Sequence, residues 1–182
     1  MGCGAGALAR ELALRVARVD AVDRDAAMVV LAGARAPVNL TVLVADALTV
    51  DLPAGGYDAV LSLSSLHHLP LQPALERMAG WLRPGGVLAA VVPPRIDLPA
   101  EIPVELAAVI GHRALGMAFA AAREASGRSL FARPPDSGAM PVRDPELTTR
   151  RLRAAASAVL PGVQVRRLVF WRCLLTWTKP SA

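Results

Sequence analysis

Cysteine, lysine and aromatic residues are all scarce in this chain. Its 182 residues include two cysteines, Cys3 and Cys173, too few and too far apart for a disulfide framework or a thiolate metal site. Three scattered histidines add no ligand spacing, so no metal is expected. Lys179 is the sole lysine, and arginine carries the formal net charge of +5. GC-rich coding favours arginine over lysine whatever the function. Aromatics make up 4% of the residues and no basic run is interleaved with them, which argues against a nucleic-acid partner. Arg150-Arg151-Leu152-Arg153 reads instead as the wet face of a helix. Hydrophobic residues reach 54%, yet Arg, Pro or Gly breaks every apolar run well before the ~18 residues of a membrane span. A glycine-rich start cannot serve as the apolar region of a signal peptide. The expectation is a cytoplasmic protein with no membrane partner.

The length fits one domain with a substantial core, spanning 1–182. Its organising stretch is Gly2-Cys3-Gly4-Ala5-Gly6, followed at once by the helix-forming run Ala7-Leu8-Ala9-Arg10-Glu11-Leu12. Alternating glycines keep side chains out of a tight turn, so a ligand can lie directly on the backbone. The helix behind would aim its free N–H groups and positive dipole end at that ligand.

Further along, Leu8, Leu12 and Val16 extend helical spacing to about Ala17. Val19 to Val22 is a short apolar run ending in Asp23, and Asp25 is placed to cap a helix through Met28-Val29-Val30-Leu31. Val38 to Val44 alternates, is rich in β-branched residues, and ends at Ala45-Asp46-Ala47. Tyr57 to Leu63 is a nearly continuous apolar strand of the kind buried on both faces. A connection containing His67-His68 leads to a helix over about Pro73 to Leu82, stopped by Arg83-Pro84-Gly85-Gly86. Val87 to Val92 is the next buried strand. Within 93–145, Val104 to about Ser126 reads as an Ala-rich helix and Arg133 to Pro145 as loop. A helix over about Glu146 to Leu160 follows. Val163–Phe170 and Cys173–Lys179 are close enough to pair as an antiparallel hairpin. Strands alternating with helices predict a doubly wound α/β sheet, mostly parallel, with an antiparallel strand at the carboxyl end.

The ordered set Gly2-Cys3-Gly4-Ala5-Gly6, Val22-Asp23-Arg24-Asp25-Ala26-Ala27-Met28, Ala45-Asp46-Ala47, Tyr57-Asp58-Ala59-Val60 through Leu66-His67-His68-Leu69, and Leu82-Arg83-Pro84-Gly85-Gly86 resembles the class I S-adenosylmethionine-dependent methyltransferases, near their ubiquinone/menaquinone-type small-molecule branch. The terminal Leu174 to Pro180 is also similar. The likeness covers about 1–92 and 146–180. It implies a Rossmann-like fold and S-adenosyl-L-methionine as cofactor. By this resemblance the loop from Gly2 to Gly6, with Cys3 and Ala5, lies against the methionine part of the cofactor. Asp23 would accept from both ribose hydroxyls, while Arg24 and Met28 flank the adenine ring. Asp46 would accept from the adenine amino group, Ala47 would donate its N–H to the ring, and Ser62 and Leu63 would line the sulfonium region. The methyl acceptor is expected to be a small molecule held by 93–145, a variable segment.

The sequence departs from the family pattern at its start. Met1 stands where the family has the apolar residue before the glycine loop, and the first strand, its acidic residue and the preceding helices are missing. The expectation is an N-terminally truncated sheet without its central first strand, explained by a valine codon read as initiator.

Blander roles stand beside these. Asp23 would serve equally as a helix-cap acid, and Asp20 is a rival acid falling mid-strand. Asp46 also suits a loop cap. His67 is a candidate general base, since imidazole titrates near neutrality, and equally a structural hydrogen-bonding residue. Trp81, Trp171 and Trp177 suit core packing better than a substrate box. Two other functions remain open. Gly2-x-Gly4-x-x-Ala7 also satisfies a dinucleotide pattern and allows a nicotinamide-dependent oxidoreductase, and a truncated chain could be a catalytically inactive remnant.

Overall fold

A computed structural model of the chain describes residues 1–97, 101–126, 144–168 and 170–181. From the amino end they form α1 (Ala7–Ala13), β1 (Val19–Asp23), α2 (Ala26–Gly33), β2 (Leu40–Val44) and β3 (Tyr57–Leu63). A 3-10 turn at Leu66–His68 then leads to α3 (Leu71–Trp81), β4 (Leu82–Val92), α4 (Ile102–Ser126), α5 (Thr149–Val159), β5 (Gln164–Leu168) and β6 (Arg172–Thr178). β1 pairs with β2 in parallel, and a separate four-stranded sheet runs in the order β3-β4-β6-β5. β3 and β4 are parallel, whereas β6 is antiparallel to both β4 and β5. The mixed α/β sheet and its terminal hairpin are those the sequence predicts. The loop expected over 133–145 lies outside the described residues apart from its last two positions.

Between β1 and β3 no strand intervenes among the described residues. Residues 1–3 run there instead. The Met1 ammonium donates to the Leu61 carbonyl of β3 at 2.8 Å, and the Cys3 N–H donates to the Val22 carbonyl of β1 at 3.1 Å. The amino end of β3 therefore borders open space. Asp58 and Ala59 are exposed, so the strand is not covered on both faces as its apolar sequence suggests.

Local chemistry explains where elements end. α1 stops at Ala13, short of the expected Ala17, because the Asn39 side-chain amide donates to the Ala13 and Val16 carbonyls at 2.8 and 3.0 Å. The Ala13 carbonyl is among the groups a helix end leaves without intrahelical partners. Asp25 caps α2 as expected, accepting from the Ala27 and Met28 N–H groups. The turn signal Arg83-Pro84-Gly85-Gly86 becomes a bulge, the register jumping from Tyr57↔Leu82 to Ala59↔Val87. Backbone bonds between Lys179 and both Gly85 and Gly86 clamp it. The Lys179 ammonium also donates to the Ala79 and Leu82 carbonyls at the end of α3, a favourable place for a cation.

The main core lies between the larger sheet and the pair α3 and α5, around Leu75, Met78, Leu88, Leu152 and Leu175, all fully buried. Trp81 and Trp177 belong to it, as their core reading expected. Trp171 does not, because it sits at the hairpin end and donates its indole N–H to Glu105 of α4. Ala9, Ala13, Ala21 and Leu40 form a smaller cluster beside β1.

α4 departs furthest from its sequence reading. Ile102–Ala125 is long and apolar enough to cross a membrane by length and composition, a property of its mean hydropathy, since Glu105, Gly111, Arg113 and Gly116 break its apolar runs as the sequence reading states. Arginine and glutamate are too widely spaced in it to lower the mean hydropathy far. One face is tied down: Glu105 meets Arg167 and Trp171, and Glu101 accepts from Thr149. Ile102, Leu106, Ile110 and Met117 are exposed.

Candidate functional site

The carboxyl ends of β1, β2 and β3 open into a cavity of about 470 Å³. In open α/β sheets ligands bind beyond the carboxyl ends of the strands. Gly2 and Gly4 form one wall; Asp23, Arg24 and Met28 another; Asp46 and Ala47 a third; and Leu63 faces the opening. Eight of the twelve residues the resemblance assigns to a cofactor thus meet around one space.

The glycine loop shows why glycine is required. Gly2, Gly4 and Gly6 have φ of 62°, 51° and 78°, a region that other residues enter only with strain. A Cβ on Gly2 would lie 2.2 Å from the Ser65 Cβ, and one on Gly6 2.8 Å from the Ala32 Cβ. Gly6 therefore serves the contact between α1 and α2 and does not line the cavity.

Asp23 ties the loop to the strand end. Its Oδ2 accepts the Gly4 N–H at 2.7 Å and its Oδ1 accepts the Asp25 N–H at 3.0 Å. A carboxylate offers about four lone-pair positions, so each oxygen keeps capacity for a further donor such as a ribose hydroxyl. Asp46 Oδ1 accepts the Leu48 N–H at 2.7 Å, while no described residue donates to Oδ2. This pair of acceptors suits a ligand presenting hydroxyl and amino groups to two carboxylates.

Four other assigned cofactor contacts stand back from the cavity. Cys3 packs on the small cluster beside β1, and burial, then the nearby Asp23 carboxylate, raises the pKa of its thiol. That thiol stays protonated at neutral pH, in keeping with a small loop residue. The Ala5 carbonyl accepts from Arg10. Ser62 is buried and shares a 2.8 Å hydrogen bond with Ser65. Gly6, as above, meets Ala32. His67, the candidate base, faces away from this space, whereas its neighbour His68 lines it.

The cavity also includes residues the sequence reading did not assign to it: Val22, Asp25, Ala45, Ser64, Ser65 and Leu69, besides His68. Ser64 through Leu69 directly follow β3, and their position at a strand's carboxyl end was the available signal. Ser64 has φ 54°, a conformation uncommon outside glycine and found at ligand-binding turns. Asp20 lies at the other end of β1, where it accepts from Tyr57 and pairs with Arg18.

An open α/β sheet with a positive-φ glycine turn and paired carboxylates at its carboxyl end defines a domain built to bind a nucleotide-like cofactor. Residues 1–86 match the family model described as a methyltransferase domain. The chain is 35% identical over 185 residues to the uncharacterized methyltransferase Rv0089 of Mycobacterium tuberculosis, covering 99% of this chain and 85% of that protein. A shorter match, 39% identical over 100 residues, is to trans-aconitate 2-methyltransferase of Deinococcus radiodurans, covering 53% of this chain and 38% of that protein. The fold is also that of a SAM-dependent methyltransferase from Methanosarcina mazei, with a TM-score of 0.62 and 16% identity over 100% of this chain and 91% of that one. The chain belongs to the methyltransferase family.

Proposed function

We propose that this methyltransferase binds S-adenosyl-L-methionine in the cavity between Gly2, Asp23, Asp46 and Leu63 and methylates a small-molecule acceptor. The supporting observation is Asp23, whose carboxylate fixes the glycine loop through Gly4 and reaches the cavity from the end of β1. The cofactor supplies an electrophilic methyl group on a sulfonium sulfur. The protein's part is alignment and exclusion of water. Asp23 takes the ribose hydroxyls; Arg24 and Met28 flank the adenine; Asp46 and the Ala47 N–H read its edge. The methionine part lies along Gly2 and Gly4, which brings the sulfonium toward Leu63 and Ser64. Cys3, Ala5, Gly6 and Ser62 act behind this surface, holding the loop and the strand end in place.

The family assignment disfavours a nicotinamide oxidoreductase. Calorimetric titration with S-adenosylhomocysteine and with NADH tests this directly. S-adenosylhomocysteine is expected to bind the more tightly, and a preference for NADH would overturn the reading. Incubation with methyl-labelled cofactor and candidate acceptors separates an active enzyme from an inactive relative.

A further inference from the structure

A second cavity, of about 370 Å³, adjoins the first. Leu69 lines both. The 3-10 turn at Leu66–His68 stands between them and divides its histidines: His68 faces the cofactor cavity and His67 the second one, with ring centroids 4.1 Å apart. Leu69 closes the stretch 64–69 that follows Leu63, and the assignment above brings the sulfonium toward Leu63 and Ser64.

The second cavity lies beyond the carboxyl end of β4, bounded by Val92 and Pro93, the start of α3 and the inner turn of α5. Pro93 and Pro145, the two ends of the segment expected to hold the acceptor, both line it. Their chains are zipped beside the cavity: the Arg95 N–H donates to the Leu147 carbonyl at 2.8 Å, and Arg95 bridges to Thr148. Leucine, proline, valine and alanine make up most of the wall. His67, Gln72 and Glu146 are its polar members, and no arginine or lysine lines it among the described residues.

Resting on the methyltransferase reading of the first cavity, we propose that the second cavity is the acceptor site and takes an apolar molecule bearing one uncharged hydroxyl or amino group. A hydrocarbon or aromatic body is favoured because a mostly apolar wall gains by covering apolar surface. A polyanion such as a tricarboxylate is disfavoured, because no arginine or lysine among the described residues lines the space to replace the water it would lose. In transfer, the acceptor oxygen or nitrogen bonds to the methyl carbon while the C–S bond breaks and its electron pair returns to sulfur. The acceptor's proton passes to His67, the imidazole on this wall, and from there to solvent.

Fluorescence titration of the full chain with 2-naphthol, with and without saturating S-adenosylhomocysteine, tests the site. The expected result is one naphthol site that S-adenosylhomocysteine does not displace. Ala155→Trp and Gln72→Trp, both at exposed positions on the wall, should each weaken naphthol at least tenfold and leave S-adenosylhomocysteine affinity within twofold. Trans-aconitate should not compete. Displacement of naphthol by either compound, or undiminished binding in both variants, overturns the proposal, as does a wild-type chain that fails to bind naphthol. Should S-adenosylhomocysteine itself fail to bind the wild type, the reading of the first cavity falls, a result distinguishable from loss of the naphthol site. With naphthol as acceptor, His67→Gln should lower kcat at least tenfold without changing the KM for the cofactor. An unchanged kcat removes His67 from the proton path.

Discussion

The Tyr57 hydroxyl donates a 2.7 Å hydrogen bond to Asp20 Oδ2, linking the start of β3 to β1 across the space where the two sheets separate. Asp20 also pairs with Arg18 at 2.9 Å, and its own side chain is only 2% exposed. The acid that competes with Asp23 in the sequence is thus a latch between sheets, held at the opposite end of β1 from the first cavity.

This latch has a pH signature. Burial, then the hydrogen bond to Asp20, pushes the Tyr57 phenol up to about 12, against about 10 in an unfolded chain. A group whose pKa is raised by folding contributes stability that is complete below the unfolded value and lost as pH rises through the folded one. Tyr57→Phe should cost about 0.5–1.5 kcal/mol near neutrality. Urea unfolding should show the gap between wild type and variant constant up to pH ~10 and closing by pH ~12. A pH-independent gap would mean that the bond contributes nothing through ionisation.

Asp23→Ala should weaken S-adenosylhomocysteine binding by about 10²-fold or more, since two charge-assisted hydrogen bonds are each worth roughly 1.5–3 kcal/mol. The same substitution releases the Gly4 N–H, so the loop loses its tether as well. Asp20→Ala should lower stability and barely change affinity. Calorimetry on the pair decides, and equal affinity losses would contradict the assignment of Asp23.

Gly6→Ala and Gly55→Ala separate backbone strain from crowding. Both glycines have positive φ, at 78° and 65°. A Cβ on Gly6 would meet the fully buried Ala32 at 2.8 Å, whereas nothing lies within 4 Å of one on Gly55. Gly55→Ala should cost about 1–2 kcal/mol, the left-handed penalty alone. Gly6→Ala adds an overpacking cost of about 1–3 kcal/mol and pushes α1 from α2, weakening cofactor binding too. Denaturant midpoints and calorimetry together test the contrast.

Arg167→Ala should loosen α4 specifically. The guanidinium meets Glu105 and Glu101, and all three side chains are largely covered. Removing it leaves two carboxylates facing each other without a cation, a loss of about 1–3 kcal/mol. Hydrogen exchange should accelerate over Ile102–Ser126 while S-adenosylhomocysteine affinity holds. Uniform acceleration across the chain would show instead that the cluster supports the whole fold.

The sequence by itself determined the order of elements, and the resemblance it carries named most of the assigned residues that the fold gathers around the first cavity. Glycine spacing, the cap acid Asp25, the apolar run Tyr57–Leu63 and the hairpin around Phe170 are local signals, because each rests on the φ preferences, caps or periodicity of neighbouring residues. Asp23, Arg24, Met28, Asp46 and Ala47 were singled out by the resemblance to the methyltransferase family, and the fold brings all five to one cavity. Tertiary structure alone decided what depends on residues distant in the chain. Asn39 ended α1 early by taking its last carbonyl, at Ala13, and that of Val16 beyond it, Ser65 made glycine obligatory at position 2, and Tyr57 claimed Asp20. The turn after β3 parted His67 from His68, giving one to each cavity. Neighbouring residues on a tight turn diverge in direction, and a linear sequence cannot say what the rest of the chain has placed on either side.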